Sequence, residues 1–179
     1  MKKIVLNIIL LFIFFVLYFL QTNFFNWFNI AGVKPNLFVL YVLFIGLFAG
    51  KRPGIIYGVI IGLLLDLLTS QSLGATSIMF GIIGFLGGYF DKNFSKENRL
   101  TIMGMGIGAC FLFEIGVYVV NSSILTYPIE ILEFLKILSI ELLFNTLLTI
   151  IIYPIFQKAG YKIEEIYKNR NAALLTRYF

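Results

Sequence analysis

Three acidic residues lie inside long apolar stretches, and they are the first candidates for chemistry in this chain. Asp66, Glu114 and Glu141 are surrounded in sequence by leucine, isoleucine and phenylalanine. A carboxyl group in such surroundings needs a hydrogen-bond or charged partner, because its burial in an apolar medium is costly. Lys34 and Lys136 are candidate counter-charges. Two interpretations stay open: a functional site or partner contact, and a purely structural hydrogen-bonded cluster.

Composition excludes much of the remaining chemistry. The chain has no histidine and one cysteine, Cys110. Histidine metal sites, a Ser-His-Asp triad and an internal disulfide are therefore impossible. Residues 104–109 fit a dinucleotide-binding pattern, but they lie inside an apolar segment with no preceding strand, so we reject nucleotide binding there. We expect no enzymatic activity and no cofactor, and we interpret Cys110 as an inert small hydrophobe.

The composition is that of a helical membrane protein. Of 179 residues, 60% are hydrophobic and 13% are charged, whereas soluble domains average about 25% charged residues. The mean hydropathy is +0.94, which excludes a soluble globular enzyme. We therefore expect an all-α fold that forms a single integral membrane domain over residues 1–179.

Six apolar segments predict membrane-spanning helices in one bundle, since a span needs about 20 apolar residues. They cover residues 4–21, 36–50, 53–68, 74–90, 100–120 and 134–156. An aromatic interface segment around Trp27 follows the first span, and Pro35 opens the second. Residues 158–179 form a basic tail, for which a short interfacial helix and a solvated terminus remain equally open.

The distribution of positive charge predicts the orientation. With six spans both termini lie on one side, and 12 of the 14 lysine and arginine residues fall on that side; Lys34 and Lys136 fall on the other. Cytoplasmic loops carry an excess of lysine and arginine, so we predict cytoplasmic termini. The net charge of +5 is then an orientation signal that could also attract lipid headgroups, and not a nucleic-acid-binding patch.

Glycines recur at helical spacing. Gly54, Gly58 and Gly62 are four residues apart in the third span, and Asp66 continues the same stripe. The fourth span carries Gly74, Gly81, Gly84 and Gly88, and the fifth carries Gly104 and Gly108. Small residues let helix backbones approach each other in lipid. We therefore predict that spans three, four and five pack closely.

The three acids are predicted to share a depth in the membrane. At 1.5 Å per residue, Asp66 and Glu114 lie roughly 20 Å from the inner face, and Glu141 lies roughly 10 Å from the outer face. The hydrocarbon core is about 30 Å thick, so all three fall in its outer half. Asn145 and Thr149 share a helical stripe with Glu141. We predict a polar cluster toward the outer leaflet.

The chain resembles the rod shape-determining protein MreD family. The resemblance rests on Lys34-Pro35-Asn36-Leu37, on residues 50–74 with Asp66 ending a glycine-rich span and Gly74 following it, and on Glu141, Asn145 and Pro154. It covers about the whole length and is most specific over residues 34–74.

The resemblance implies a role without catalysis. Members of this family work in the elongation machinery of bacterial cell-wall synthesis and associate with MreC. The MreB filament, a SEDS-type glycosyltransferase and a class B penicillin-binding protein belong to the same assembly. The chain would then be a scaffold in the bacterial plasma (inner) membrane that regulates cell shape. Its candidate partner contacts are Pro35, Asn36, Asp66, Gly74, Glu114, Glu141 and Asn145.

A second resemblance gives the alternative function. The predicted fold is similar to that of the six-helix substrate-binding subunits of energy-coupling-factor vitamin transporters. Asp66, Glu114, Glu141 and Trp27 would then line a small-molecule pocket in the outer half. The outer loops, however, offer few polar groups to close over a ligand.

Overall fold

The structure, a computed structural model, describes residues 2–69, 74–91, 98–124 and 131–175. These residues are helical and contain no strand; a bridge between Ile30 and Val33 closes one tight turn. The elements are α1 (Lys2–Phe19), a π-helical turn (Leu20–Phe24), α2 (Phe25–Trp27), α3 (Leu37–Ala49), α4 (Lys51–Thr69), α5 (Ala75–Phe90), α6 (Arg99–Ile124) and α7 (Ile131–Leu175).

Helices occupy all six ranges in which spans were predicted, but they differ in length. Four segments of the described chain are long and apolar enough to cross a membrane: Lys3–Trp27, Lys51–Thr69, Arg99–Val120 and Ile131–Tyr167. The other two, α3 and α5, have 13 and 16 residues. They are about 20 and 24 Å long, which is less than the hydrocarbon core of about 30 Å.

The first helical segment continues beyond its predicted end at residue 21. The π-helical turn and α2 carry it to Trp27. In this turn the Thr22 hydroxyl donates a hydrogen bond to the Tyr18 carbonyl at 2.8 Å. Threonine side chains in helices commonly bond the carbonyl four residues earlier in this way. The aromatic interface segment around Trp27 is thus, up to Trp27, a helical continuation of the first span.

The short helix α3 forms the centre of the bundle. All 13 of its residues are buried, because α4, α5, α6 and α7 pack around it. On the remaining side α1 contacts it: the Phe14 and Phe38 rings lie 5.3 Å apart, and the Tyr41 hydroxyl donates to the Leu10 carbonyl at 2.7 Å. A helix that is apolar on every side is expected in such a position.

Glycines bring the backbones of α3, α4 and α5 into direct contact. A Cβ atom at Gly54, Gly58 or Gly62 of α4 would collide with the backbone of α5. A Cβ atom at Gly46 of α3 would collide with the carbonyl of Gly84 in α5. Hydrogen is therefore the largest side chain that these positions accept without a shift of the helices, as is common where membrane helices approach closely.

The glycines of α5 have different neighbours. Gly84 and Gly88 lie against the backbone near the start of α4, and Gly87 lies against the backbone of α3. Gly81 meets only a side-chain atom, since the nearest neighbour of a Cβ atom there would be Val59 Cγ2 at 3.0 Å. The helix α5 therefore carries glycine on two faces, one packed against α4 and the other against α3.

The third helix of this close-packed group is α3, whereas we expected α6. Gly104 and Gly108 of α6 face open space. The helix α6 meets α5 through side chains, for example the stacked rings of Phe80 and Phe113 at 4.9 Å. Contact through large rings needs no close backbone approach. Of the α6 glycines, Gly116 lies at this interface, against the flexible Met79 side chain, whereas Gly104 and Gly108 do not.

The helix α7 continues through the predicted basic tail. Its buried residues recur every three or four positions, except for one step of seven across Pro154: Leu138, Glu141, Asn145, Thr149, Tyr153, Gly160 and Ile163. Beyond Pro154, Gly160 packs against the Phe48 ring, and the Tyr167 hydroxyl lies 2.8 Å from that of Tyr57. Residues 158–175 therefore extend α7, and at least as far as Tyr167 they lie against the bundle. Residues 176–179 of the predicted tail lie outside the described residues.

Candidate functional site

One buried amide joins three helices at the start of α3. The Asn145 Oδ1 atom accepts a hydrogen bond from the Asn36 backbone N–H at 2.9 Å. The Nδ2 atom of the same side chain donates to Cys110 Sγ at 3.1 Å. Asn145 is only 2% exposed, so these contacts are shielded from water and lipid. The side chain thus fixes α3, α6 and α7 relative to one another.

The first turn of α3 obtains its hydrogen-bond partners from several places. The Asn36 side chain accepts a hydrogen bond from the Val39 N–H at 3.4 Å. The Leu37 N–H donates to Gln21 Oε1 at 3.2 Å. The first N–H groups of a helix have no partner within the helix, and a capping asparagine is a common solution. Pro35, which is buried directly before the cap, has no N–H to satisfy.

Glu114 of α6 and Glu141 of α7 meet at the interface between these helices. Their carboxyl groups are direct neighbours, and the Glu141 carboxyl group also lies next to the Asn145 side chain. Three of the residues that we predicted as a polar cluster are therefore connected to each other and, through Asn145, to the cap of α3.

Asp66 makes a different contact. Its Oδ2 atom accepts a hydrogen bond from the Gly74 N–H at 2.8 Å, and its Oδ1 atom has no partner among the described residues although the side chain is 1% exposed. Gly74 has a φ angle of +101°, which favours glycine, and it directly precedes α5. The carboxylate thus closes the connection from α4 to α5, beside a helix N-terminus where negative charge is favourable.

The described contacts therefore divide the predicted three-acid cluster into two groups. Glu114 and Glu141 form one, and Asp66 with Gly74 forms the other. Counting residues along a helix gives the depth of a side chain but not the side of the bundle on which it lies. The single cluster of three acids therefore stays a prediction.

Among the cavities lined by described residues, the one at Trp27 is not shared with the three acids of the transporter alternative. Trp27 is 89% exposed. The cavity beside it is lined by Phe19, Asn23, Phe24 and Phe28, and by none of the three acids. The candidate counter-charges Lys34 and Lys136 are both exposed.

The polar residues around Asn145 and the first turn of α3 are called the Asn145 network: Gln21, Asn36, Cys110, Glu114, Glu141 and Asn145. Two of them were missed in the sequence analysis. Gln21 was assigned to the end of the first span, and Cys110 was considered inert. Each had a signal. Gln21 is the amide that ends a long apolar run, and Cys110 lies four residues before Glu114 and thus on the same helix face.

Long apolar helices around a small buried polar network define a multi-pass helical membrane protein. The described residues contain no group of three or more Cys, Asp or Glu side chains that could hold a metal ion.

The chain belongs to the MreD family, because the family model described as rod shape-determining protein MreD matches residues 1–160. This confirms the family expected from the sequence. No curated protein and no solved structure matches the chain. Family membership and the four long apolar helices make it an inner-membrane protein of rod shape determination. The family is one of shape-determining structural proteins and is not a known enzyme family.

Proposed function

We propose that this protein is a non-catalytic membrane scaffold of the bacterial cell-elongation complex. It would associate with MreC and with peptidoglycan synthesis enzymes, a SEDS-type glycosyltransferase and a class B penicillin-binding protein, in an assembly that includes the MreB filament. The observation that carries the proposal is the family match over residues 1–160.

The proposed topology has six spans and cytoplasmic termini. Its support is the charge distribution, with 12 of 14 basic residues on the side of the termini. The short helices α3 and α5 contribute two of these spans. The helix α3 can be short because its neighbours bury it on all sides, so it needs no lipid-matching length of its own.

The Asn145 network is proposed to shape a contact surface for a partner's membrane helix. Asn145 and Glu141 are buried and position their neighbours, whereas Asn36 and Glu114 are only half-buried. The half-buried pair can therefore present polar atoms to another helix. Polar side chains that hydrogen-bond across helices contribute to association in membranes.

The test is affinity purification of the tagged full chain from mildly solubilised membranes, with mass spectrometry of the proteins that accompany it. We expect the wild type to recover MreC and wall-synthesis proteins, and Glu114→Leu to recover several-fold less. The matched control is Ser139→Leu, because the exposed Ser139 hydroxyl bonds only the Leu135 carbonyl of its own helix.

Two results would overturn the proposal. One is recovery of an ATPase pair with a membrane coupling subunit, which would indicate a transporter. The other is an equal yield of MreC from the Glu114→Leu and Ser139→Leu variants. This result would mean that the Asn145 network does not form the contact surface for the partner helix.

A further inference from the structure

A groove opens toward the bilayer between α1 and the C-terminal half of α7. Its volume is about 650 Å³. Leu6, Leu10 and Ile163 form a buried floor, and the flanking Ile9 and Ile155 are 48% and 68% exposed. Such a groove cannot stay empty in a membrane, since lipid tails will enter it.

We propose that this groove binds one anionic phospholipid, with an acyl chain along the apolar floor and the phosphate between Lys158 and Lys162. These two lysines are the charged members of the groove lining. They are four residues apart and thus on the same face of α7. Both are exposed, so their flexible stems can follow the apolar wall while the ammonium groups reach the headgroup level.

The combination of charge and apolar surface favours a phospholipid over a protein helix. An apolar partner helix would cover the floor but would bring no negative charge to the two ammonium groups. A phospholipid supplies both parts in one molecule. Glu165 follows Lys162 by three residues, but it is not part of the groove lining.

Contacts beside the groove join the two helices that line it. The Tyr57 hydroxyl donates a hydrogen bond to the Asn7 side chain of α1 and hydrogen-bonds the Tyr167 hydroxyl of α7; Asn7 and Tyr167 directly follow the lining residues Leu6 and Ile166. The Lys3 ammonium lies 5.0 Å from the centre of the Tyr167 ring. These contacts tie the ends of α1, α4 and α7 together. Within the groove the small side chain of Ala159 leaves room that a larger residue would fill.

The experiment is native mass spectrometry of the purified full chain with added phosphatidylglycerol or phosphatidylcholine. We expect one phosphatidylglycerol molecule to bind in preference to phosphatidylcholine. Lys158→Gln with Lys162→Gln should weaken phosphatidylglycerol binding about 30-fold, from the usual attraction of two surface lysines to anionic lipid. The matched control is Lys34→Gln with Lys136→Gln, which removes the same charge elsewhere and should keep the preference.

A second pair of variants tests the apolar floor. Ala159→Phe should abolish tight binding of both lipids without changing surface charge, and Ile9→Phe fills the groove from α1 should the first variant fail to fold. Three results would overturn the proposal: equal binding of the two lipids by the wild type, an equal loss in the control pair, or tight lipid binding that survives in a folded groove-filling variant. Capture of a protein by a photo-cross-linker at position 159 would also overturn it and assign the groove to a partner helix.

Discussion

At the scale of single residues, the Asn145 side chain of α7 hydrogen-bonds both the start of α3 and Cys110 of α6. Replacing it with leucine leaves the Asn36 N–H without its acceptor in a buried site, which typically costs about 1–3 kcal/mol. We expect Asn145→Leu to lower the thermal unfolding temperature in detergent. Asn145→Asp keeps an acceptor of the same shape and should be milder. Equal unfolding temperatures for the wild type and Asn145→Leu would contradict this role.

Asp66 provides the second test at this scale. Asp66→Leu removes the acceptor of the Gly74 N–H, and we expect normal membrane insertion but weaker recovery of partner proteins, since the α4–α5 connection is no longer closed. Asp66→Asn retains an acceptor oxygen and should recover more of the complex. Recovery should be measured together with cell shape. Rod-shaped cells and a full complex in the Asp66→Leu strain would count against the prediction.

At the scale of helices, the α4–α5 interface has no room for a side chain at its centre. Gly58→Leu would push a side chain into the carbonyl of Phe80. We expect a loss of about 2 kcal/mol or more, as for overpacked cores. Gly108→Leu is the matched control, because Gly108 lies on a helix of the same protein but faces open space. Thermal unfolding of both variants in detergent measures the difference, and similar values would argue against backbone contact.

Helix positions could be predicted from the sequence because an apolar run of fixed length is a local property. Which helices pack against each other could not be predicted from the sequence. A glycine stripe indicates a close helix contact but does not indicate which helix is the partner. Gly46 of α3 had the same signal as Gly104 of α6, and only the three-dimensional arrangement separates them. The residues of the Asn145 network were largely visible as polar groups in apolar segments. Their connections were not, because Asn36 and Asn145 lie 109 residues apart.

At the scale of the whole molecule, the six-span topology can be tested by cysteine labelling. Cys110 can stay in place, because it is fully buried. With a membrane-impermeant thiol reagent on intact cells, we expect Lys34→Cys to be labelled and Arg52→Cys to be labelled only after permeabilisation. The two positions flank α3, so opposite accessibility requires that α3 crosses the membrane. Labelling of both from one side would leave α3 as a helix that does not cross.

The complete burial of α3 also has a consequence for biogenesis. The helix leaves the ribosome before α4, α5, α6 and α7, yet the amide that holds its first turn belongs to α7. Until α7 is inserted, α3 must be covered by lipid or by an insertion chaperone, and its first turn lacks the Asn145 acceptor. A chain that ends before Ile131 should therefore be recognised by membrane proteases as unfinished, even though it already contains the close-packed helices α3, α4 and α5.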